Sequence, residues 1–517
     1  MNIEFLNTKE TKQLVSRAIL VIVFAISVFI GIASIDFGRH WDEPLQLDLL
    51  LSAFSKNSWL PSGFYNYPSL TFWLSLGSML IVSPLSVIAK TGIGDANFYS
   101  VTRSVFLILS LSGGFFVYLS VRKFASEFIA ASTALIYFTS YQFFYHSRWI
   151  APDAALAAIF AVFIWVFCNA ASTGRRRWFL ASVVVAGIAA STKWQGAILV
   201  IPSFFLVVRL GVEDLRIRLR MVFAGLAIFA GVIVVITPGL LLETGEAIHD
   251  IRFELKHYAT THGTIYGVAP NDVSSHYQYA VNMLRYLALD LTSRYWYISL
   301  AIFSFSLIGV YCLSRKDKLI SFGIAMPAVL LFLLFANQSV FIVRNFLIYL
   351  PIILFFAGVA IGAIKNVFAR RATVVCLVVF SLIGLVGNFS DARDVGPNWQ
   401  EVAFRKLNSE IDNHPNREYF LSSGVQLLVS EFDDHGYPNL VECSARTQNI
   451  VMLASELSRF NGALRELPAL RDGTYKTLGQ NEVDFDFYPS WAGNDRILIM
   501  NENDQKRFGI SCSGLGP

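Results

Sequence analysis

The sequence predicts an α-helical polytopic membrane protein followed by a small α/β domain, and three observations carry that fold class. Hydrophobic residues fill 55% of the 517 positions and charged residues only 15%, with a mean hydropathy of +0.53, far more apolar surface than one soluble core can bury. Apolar runs long enough, or nearly so, to cross a bilayer follow one another up to about residue 388. The charge then reverses: residues 390 to 517 hold 19 of the 37 acidic residues but 12 of the 41 basic ones. The formal net charge of +4 therefore averages an acidic tail and a basic membrane part. The basic residues sit in short loops between apolar runs, where they orient a membrane chain, and no nucleic-acid motif accompanies them, so no nucleic-acid partner is expected.

The first run, about Ala18 to Ile35, follows Lys9, Lys12 and Arg17 and lacks a small-residue cleavage site. It reads as an anchor that starts inside and exits. Further runs lie at 69–89, 104–120, 127–146, 153–171, 178–191, 195–210, 221–239, 296–313, 319–336, 345–363 and 372–388. If the run 69–89 crosses, the clusters at Arg122-Lys123, Arg175 to Arg177 and Arg315 to Lys318 fall outside, against the positive-inside bias. If it stays outside as a juxtamembrane helix, every basic cluster falls inside. The expectation is therefore about eleven transmembrane helices over residues 1–389, with the N-terminus inside. Residues 390–517 follow as an extracytoplasmic domain, in a plasma membrane of the bacterial inner-membrane type.

This arrangement places the isolated ionisable residues on one face. Arg39-His40-Trp41-Asp42-Glu43-Pro44 follows the first run, and carboxylates at a membrane exit are costly unless they have a task. Pro44 suits a helix start, continued by Leu45, Leu47, Leu49, Leu50 and Phe54, so that Asp42 and Glu43 would cap it in ionised form. Pro152-Asp153 repeats the device at the start of the 153–171 run. An ionised carboxylate there can serve as a general base. Arg103, Arg148, Lys193 and Arg344 belong to the same outer face and are candidates to stabilise a leaving phosphate.

His40-Trp41-Asp42-Glu43 resembles the acidic signature of the GT-C glycosyltransferases, and the nearest likeness is to protein O-mannosyltransferases and the lipid A aminoarabinose transferase. Tyr65-Asn66-Tyr67-Pro68-Ser69-Leu70 is similar to their Tyr/Lys-Pro-Pro-Leu segment, with Ser69 in place of the second proline. Arg103, Ser147 to Asp153, Ser191 to Gly196 and Arg344 to Pro351 resemble further elements in the family's order. The resemblance spans about residues 15 to 390. It implies a GT-C fold with outer juxtamembrane helices, and transfer of one sugar from a polyprenyl-phosphate donor to a lipid, glycan or protein acceptor with inversion. Asp42 would be the base, Glu43 and Asp153 supporting or acceptor-orienting carboxylates, and Arg103, Arg148, Lys193 and Arg344 the phosphate-binding set. His40, Tyr65, Tyr67, His257 and His262 would bind substrate.

His249, Asp250, His257, His262 and His276 crowd the outer stretch from Leu241 to Arg294. They could hold a divalent ion, but their spacing is no recognised metal motif, and hydrogen bonding to sugar or phosphate is the preferred reading. After Phe389 short apolar runs, Tyr419–Leu421, Val425–Val429 and Ile497–Met500, alternate with turn-rich stretches, as in a small α/β domain. It is expected to serve acceptor recognition or complex formation. Cys443 and Cys512 fall there and could pair in an oxidising compartment, whereas Cys168, Cys312 and Cys376 fall in spans. Rival readings are an oligosaccharide ligase or polymerase with a lipid-diphosphate donor and, in another class, a lipid-linked sugar flippase. No internal repeat or mid-span charge pair supports the flippase.

Overall fold

Helix follows helix from residue 9 to residue 394 in the computed structural model, which describes residues 9–35, 43–56, 60–61, 64–82, 95–211, 214–260, 273–338, 342–394, 407–421, 449–453, 476–477 and 497–501. The first half comprises α1 (Lys9–Ala33), α2 (Glu43–Ser55), α3 (Leu70–Val82), α4 (Asp95–Val121), α5 (Glu127–Thr139), α6 (Tyr141–Ser147), α7 (Pro152–Thr173) and α8 (Arg176–Thr192). A 3-10 turn, Trp194–Leu199, leads into α9 (Val200–Phe205). Then come α10 (Leu215–Ile236), α11 (Gly239–Leu242), α12 (Thr244–Thr260), α13 (Val273–Leu289), α14 (Trp296–Lys316) and α15 (Lys318–Ala336). A second 3-10 turn, Val343–Ile348, precedes α16 (Tyr349–Ala363) and α17 (Val367–Asp394).

Eight of these segments are long and apolar enough to cross a bilayer. They account for eight of the eleven expected spans, and the other three occur as shorter helices: Glu127–Thr139, Arg176–Thr192 and the continuous turn-and-helix Trp194–Leu210. The 69–89 run supplies the 13-residue α3, about 20 Å long at 1.5 Å per residue, against the ~30 Å of a hydrocarbon core. The chain is a multi-pass helical membrane protein. Helices α7 and α16 form its centre: α16 is buried from Tyr349 through Ile361, and α7 over most of its length. At the seam between α14 and α16 the backbones nearly touch, since a Cβ on Gly309 would lie 1.9 Å from the Phe356 carbonyl oxygen. By contrast α10 and α17 present apolar side chains outward, among them Phe223, Val235, Val375 and Val386, as membrane-facing helices do.

Beyond α17 the described residues form a four-stranded sheet in the order β1-β2-β4-β3. Strand β1 (Tyr419–Leu421) runs parallel to β2 (Asn449–Leu453), while β4 (Ile497–Asn501) is antiparallel to β2 and to β3 (Lys476–Thr477). Two of the three expected apolar runs are thus strands. Val425–Val429, Cys443 and Cys512 lie outside the described residues. Cys168, Cys312 and Cys376 are unpaired thiols on helices.

Candidate active site

Two buried ion-pair systems stand where helices start or break. The first ties the end of α1 to the start of α2. Arg103, on α4, sends Nε and Nη2 to the two carboxylate oxygens of Glu43 at 3.0 and 2.5 Å, and Nη1 to the Ile35 carbonyl at 2.8 Å. The Ile150 amide donates to Glu43 Oε1 at 3.0 Å. Arg148 Nη1 donates to the carbonyl and hydroxyl oxygens of Ser34 at 3.0 and 2.8 Å, while the Arg148 guanidinium lies over Phe144 and Tyr145. Burial, opposed by Tyr145 and Tyr141, pushes Arg148 down to about 10, which leaves it charged at neutral pH. The chain therefore leaves α1 under one arginine and enters α2 under another. His40 and Asp42 lie between these anchors, outside the described residues.

The sequence reading gave Glu43 to a helix cap and Arg103 to phosphate. The structure brings the two together as a fork-to-fork pair, 0% and 2% exposed. Helix α2 starts at Glu43 itself, with Pro44 second. Its oxygens already accept two guanidinium bonds and an amide bond, so the Glu43 carboxylate is engaged by protein groups.

The second system gathers Asp153, Lys193, Arg344 and Asn345, each at most 3% exposed. Asp153 stands second in α7, behind Pro152, as the Pro-Asp pattern predicts. Lys193 sits in extended backbone between α8 and the following 3-10 turn. That turn is tight: the Gly196 amide bonds back to the Lys193 carbonyl at 2.8 Å, and a Cβ at 196 would lie 2.3 Å from the Ala189 carbonyl oxygen. Arg344 and Asn345 lie in the 3-10 turn that opens α16. Lys193 Nζ donates to Asp153 Oδ1 and to Asn345 Oδ1, both at 2.6 Å, and Arg344 Nε lies 3.4 Å from Asp153 Oδ2. Irregular backbone inside a membrane bundle is tolerated where it is buried in protein or lines a cavity. Here it presents two cations around one carboxylate.

Residues 92–240, which carry Arg103, Arg148, Asp153 and Lys193, match a family model described as dolichyl-phosphate-mannose-protein mannosyltransferase. The fold is similar to the crystal structure of ArnT from Cupriavidus metallidurans bound to undecaprenyl phosphate, at 12% identity and a TM-score of 0.53, over 93% of this chain and 98% of that one. It is also similar to AglB, the oligosaccharyltransferase of Archaeoglobus fulgidus, in complex with an inhibitory peptide and a dolichol-phosphate, at 12% identity and a TM-score of 0.50, over 95% of this chain and 76% of that one. No curated protein sequence matches the chain. The chain has the GT-C fold.

Within this GT-C fold the remaining expected residues divide. Tyr65 is fully buried, its hydroxyl bonded to Glu243 and its amide to Asp250 at 2.8 Å. Burial first, and then the Glu243 carboxylate, push its phenol well above the ordinary value of 10. These bonds fasten the 64–69 segment to the junction of α11 and α12. Tyr67 reaches the second system, with its ring centroid 5.7 Å from Lys193 Nζ. His257 lies on α12 without a described side chain, and His262 lies outside the described residues. His249 neighbours Asp250 at 3.3 Å and His276 approaches the Ala336 carbonyl oxygen at 2.9 Å. Among the described residues no three His, Cys, Asp or Glu side chains group closely enough to hold a metal ion. Asn345 was not singled out in the sequence. Its signal is a buried amide beside an arginine in an apolar stretch, which is costly unless both groups are used.

Proposed function

We propose that the protein is a glycosyltransferase that moves one sugar from a polyprenyl-phosphate donor to an acceptor hydroxyl on the outer face of the membrane, with inversion. The observation that supports this reading is the buried Arg103–Glu43 pair, which commits to an arginine the carboxylate that follows Asp42 in the sequence. Glu43 is engaged by Arg103 and the Ile150 amide, so the work of a base is assigned to Asp42. The acceptor oxygen attacks the anomeric carbon, its proton passes to Asp42, and the bond from that carbon to the phosphate oxygen breaks, with the electron pair leaving on the lipid phosphate. No general acid is required, because the phosphate is already a good leaving group. Lys193 and Arg344 supply the charge that receives it. Arg103 and Arg148 act as positioning residues that tie the end of α1 to the start of α2. Asp153, between the two cations, orients substrate.

The single net positive charge of Lys193, Arg344 and Asp153 fits a monophosphate donor better than the diphosphate of a ligase or polymerase. The basic clusters at Arg122, Arg175–Arg177 and Arg315–Lys318 would then face the cytoplasm and the sheet domain the outside.

The test begins with binding. Purified protein should be stabilised against heat by at least one member of a panel of polyprenyl-phosphate sugars. Asp42→Asn should keep that stabilisation while turnover falls by about 10² or more, and Asp153→Asn should cost less. Equal turnover of Asp42→Asn and the parent, on folded protein with saturating donor, would sink the mechanism, and a larger loss at Asp153 would exchange the two roles. Cysteines placed at Lys90 and at Ser513 should both react with an impermeant reagent. Labelling of one alone breaks the orientation.

A further inference from the structure

One atom of Asp153 and one of Asn345 remain without hydrogen-bond partners among the described residues. Among these residues Asp153 Oδ2, at 3.4 Å from Arg344 Nε, accepts no hydrogen bond and Asn345 Nδ2 donates none, although both side chains are buried. The Asn345 amide is oriented by chemistry: Lys193 only donates, so the amide oxygen must face it and the NH2 group must turn away. An open acceptor and an open donor therefore flank one ammonium, each on a side chain whose other end touches Lys193 Nζ at 2.6 Å. Buried polar atoms are nearly always satisfied, by protein, water or ligand.

The kind of ligand follows from what each candidate group can do. A phosphate oxygen only accepts, and Asp153 would repel it. An ammonium group only donates, so it would leave Asn345 Nδ2 unfilled, and it would meet the net positive charge of Lys193 and Arg344 against Asp153. Hydroxyls both donate and accept. Resting on the glycosyltransferase reading, we propose that Asp153 and Asn345 read hydroxyls of the donor sugar and so select an uncharged polyhydroxyl sugar over a cationic amino sugar. Asn345 occupies a position that the family's Arg-to-Pro pattern leaves open, so the preference belongs to this chain's own residues. Phosphate recognition and sugar recognition then share one ammonium: Lys193 faces the leaving group and fixes both readers.

Donor affinity of the full-length purified protein tests this, with undecaprenyl-phosphate mannose, glucose and galactose, the monodeoxy analogues of whichever binds best, and undecaprenyl-phosphate aminoarabinose as probes. The parent should bind a neutral sugar at least tenfold more tightly than aminoarabinose, and one deoxy analogue should lose about tenfold, the scale of one unfilled buried hydrogen bond. In Asn345→Leu that deoxy penalty should shrink to less than about threefold, since the reader is gone. Asn345→Asp keeps an acceptor for Lys193 but removes the donor and the net charge. It should weaken the neutral sugar and strengthen aminoarabinose, and it serves alone if Asn345→Leu does not fold.

Tighter aminoarabinose binding by the parent overturns the proposal. So does equal weakening of every analogue in Asn345→Leu, which would make Asn345 a support for Lys193, or an unchanged deoxy pattern in both variants, which would leave only an ordered water at the pair. Binding of none of the sugar donors would sink the glycosyltransferase reading first, and this inference with it.

Discussion

Ion pairs occur at both ends of the helix bundle, and their surroundings separate them. Helix α4 carries Arg103 near its start, while Arg122 follows its end. Arg122 approaches Glu127 at 3.7 Å with a third of its side chain exposed. Arg209, at the far end of the Trp194–Leu210 segment from Lys193, meets Asp317 at 2.9 Å with 44% of its side chain exposed. At the other end the Arg103–Glu43 and Lys193–Asp153 pairs are almost completely shut from solvent. Exposed pairs are worth little and are screened by salt. Buried pairs cost so much desolvation that apolar replacements are often as stable. The first kind suits orientation in the membrane; the second needs a reason beyond stability, and chemistry at the site supplies one.

The contrast can be broken most sharply at Arg103. Arg103→Ala strands the Glu43 carboxylate and should cost about 3–5 kcal/mol of stability, read as a large fall in Tm. The double change Arg103→Met with Glu43→Leu should recover much of that Tm yet leave turnover low, because the segment before α2 loses its anchor. A parent-like Tm for Arg103→Ala would mean that the pair does not hold this end together. Arg344→Ala should weaken donor binding by about 10- to 100-fold, the range for a hydrogen bond to a charged group, and Arg344→Lys should recover only part of it because the planar fork is lost. If both bind donor like the parent, Arg344 is an anchor and not a phosphate ligand. Arg209→Ala, the control at the opposite end, should change stability by less than about 1 kcal/mol and leave turnover untouched. A larger effect there would erase the distinction between the ends.

The fold was legible because apolar length and loop charge are local properties. Pro152 announced the start of α7 and put Asp153 in its first turn, and the strands at Tyr419 and Ile497 followed from short apolar runs. Pairing was not legible. Glu43 and Arg103 are 60 residues apart, and only the packing of α2 against α4 turns two separate site candidates into one clamp. The bond from Arg148 to Ser34, 114 residues away, was no more legible. Asn345 went unnoticed because a single amide carries no periodicity. The helix breaks at Lys193 and Arg344 would have pointed to it, since a membrane helix interrupted beside a buried charge needs its irregular backbone for something.

The fastening of the 64–69 segment has a consequence for anyone recombining relatives of this chain. Besides the Tyr65 contacts, Asn66 Nδ2 donates to Glu254 at 3.1 Å, the Ser69 amide donates to Thr237 Oγ1 at 3.2 Å, and the Trp73 indole donates to the Ile236 carbonyl at 2.7 Å. Two stretches about 170 residues apart in sequence thus behave as a single exchangeable part, on the separations of these bonds. A chimera that imports a foreign 64–73 without 236–254 leaves Glu243, Asp250 and Glu254 facing strangers. One that moves both together carries across an intact joint, with Tyr67 still set against Lys193.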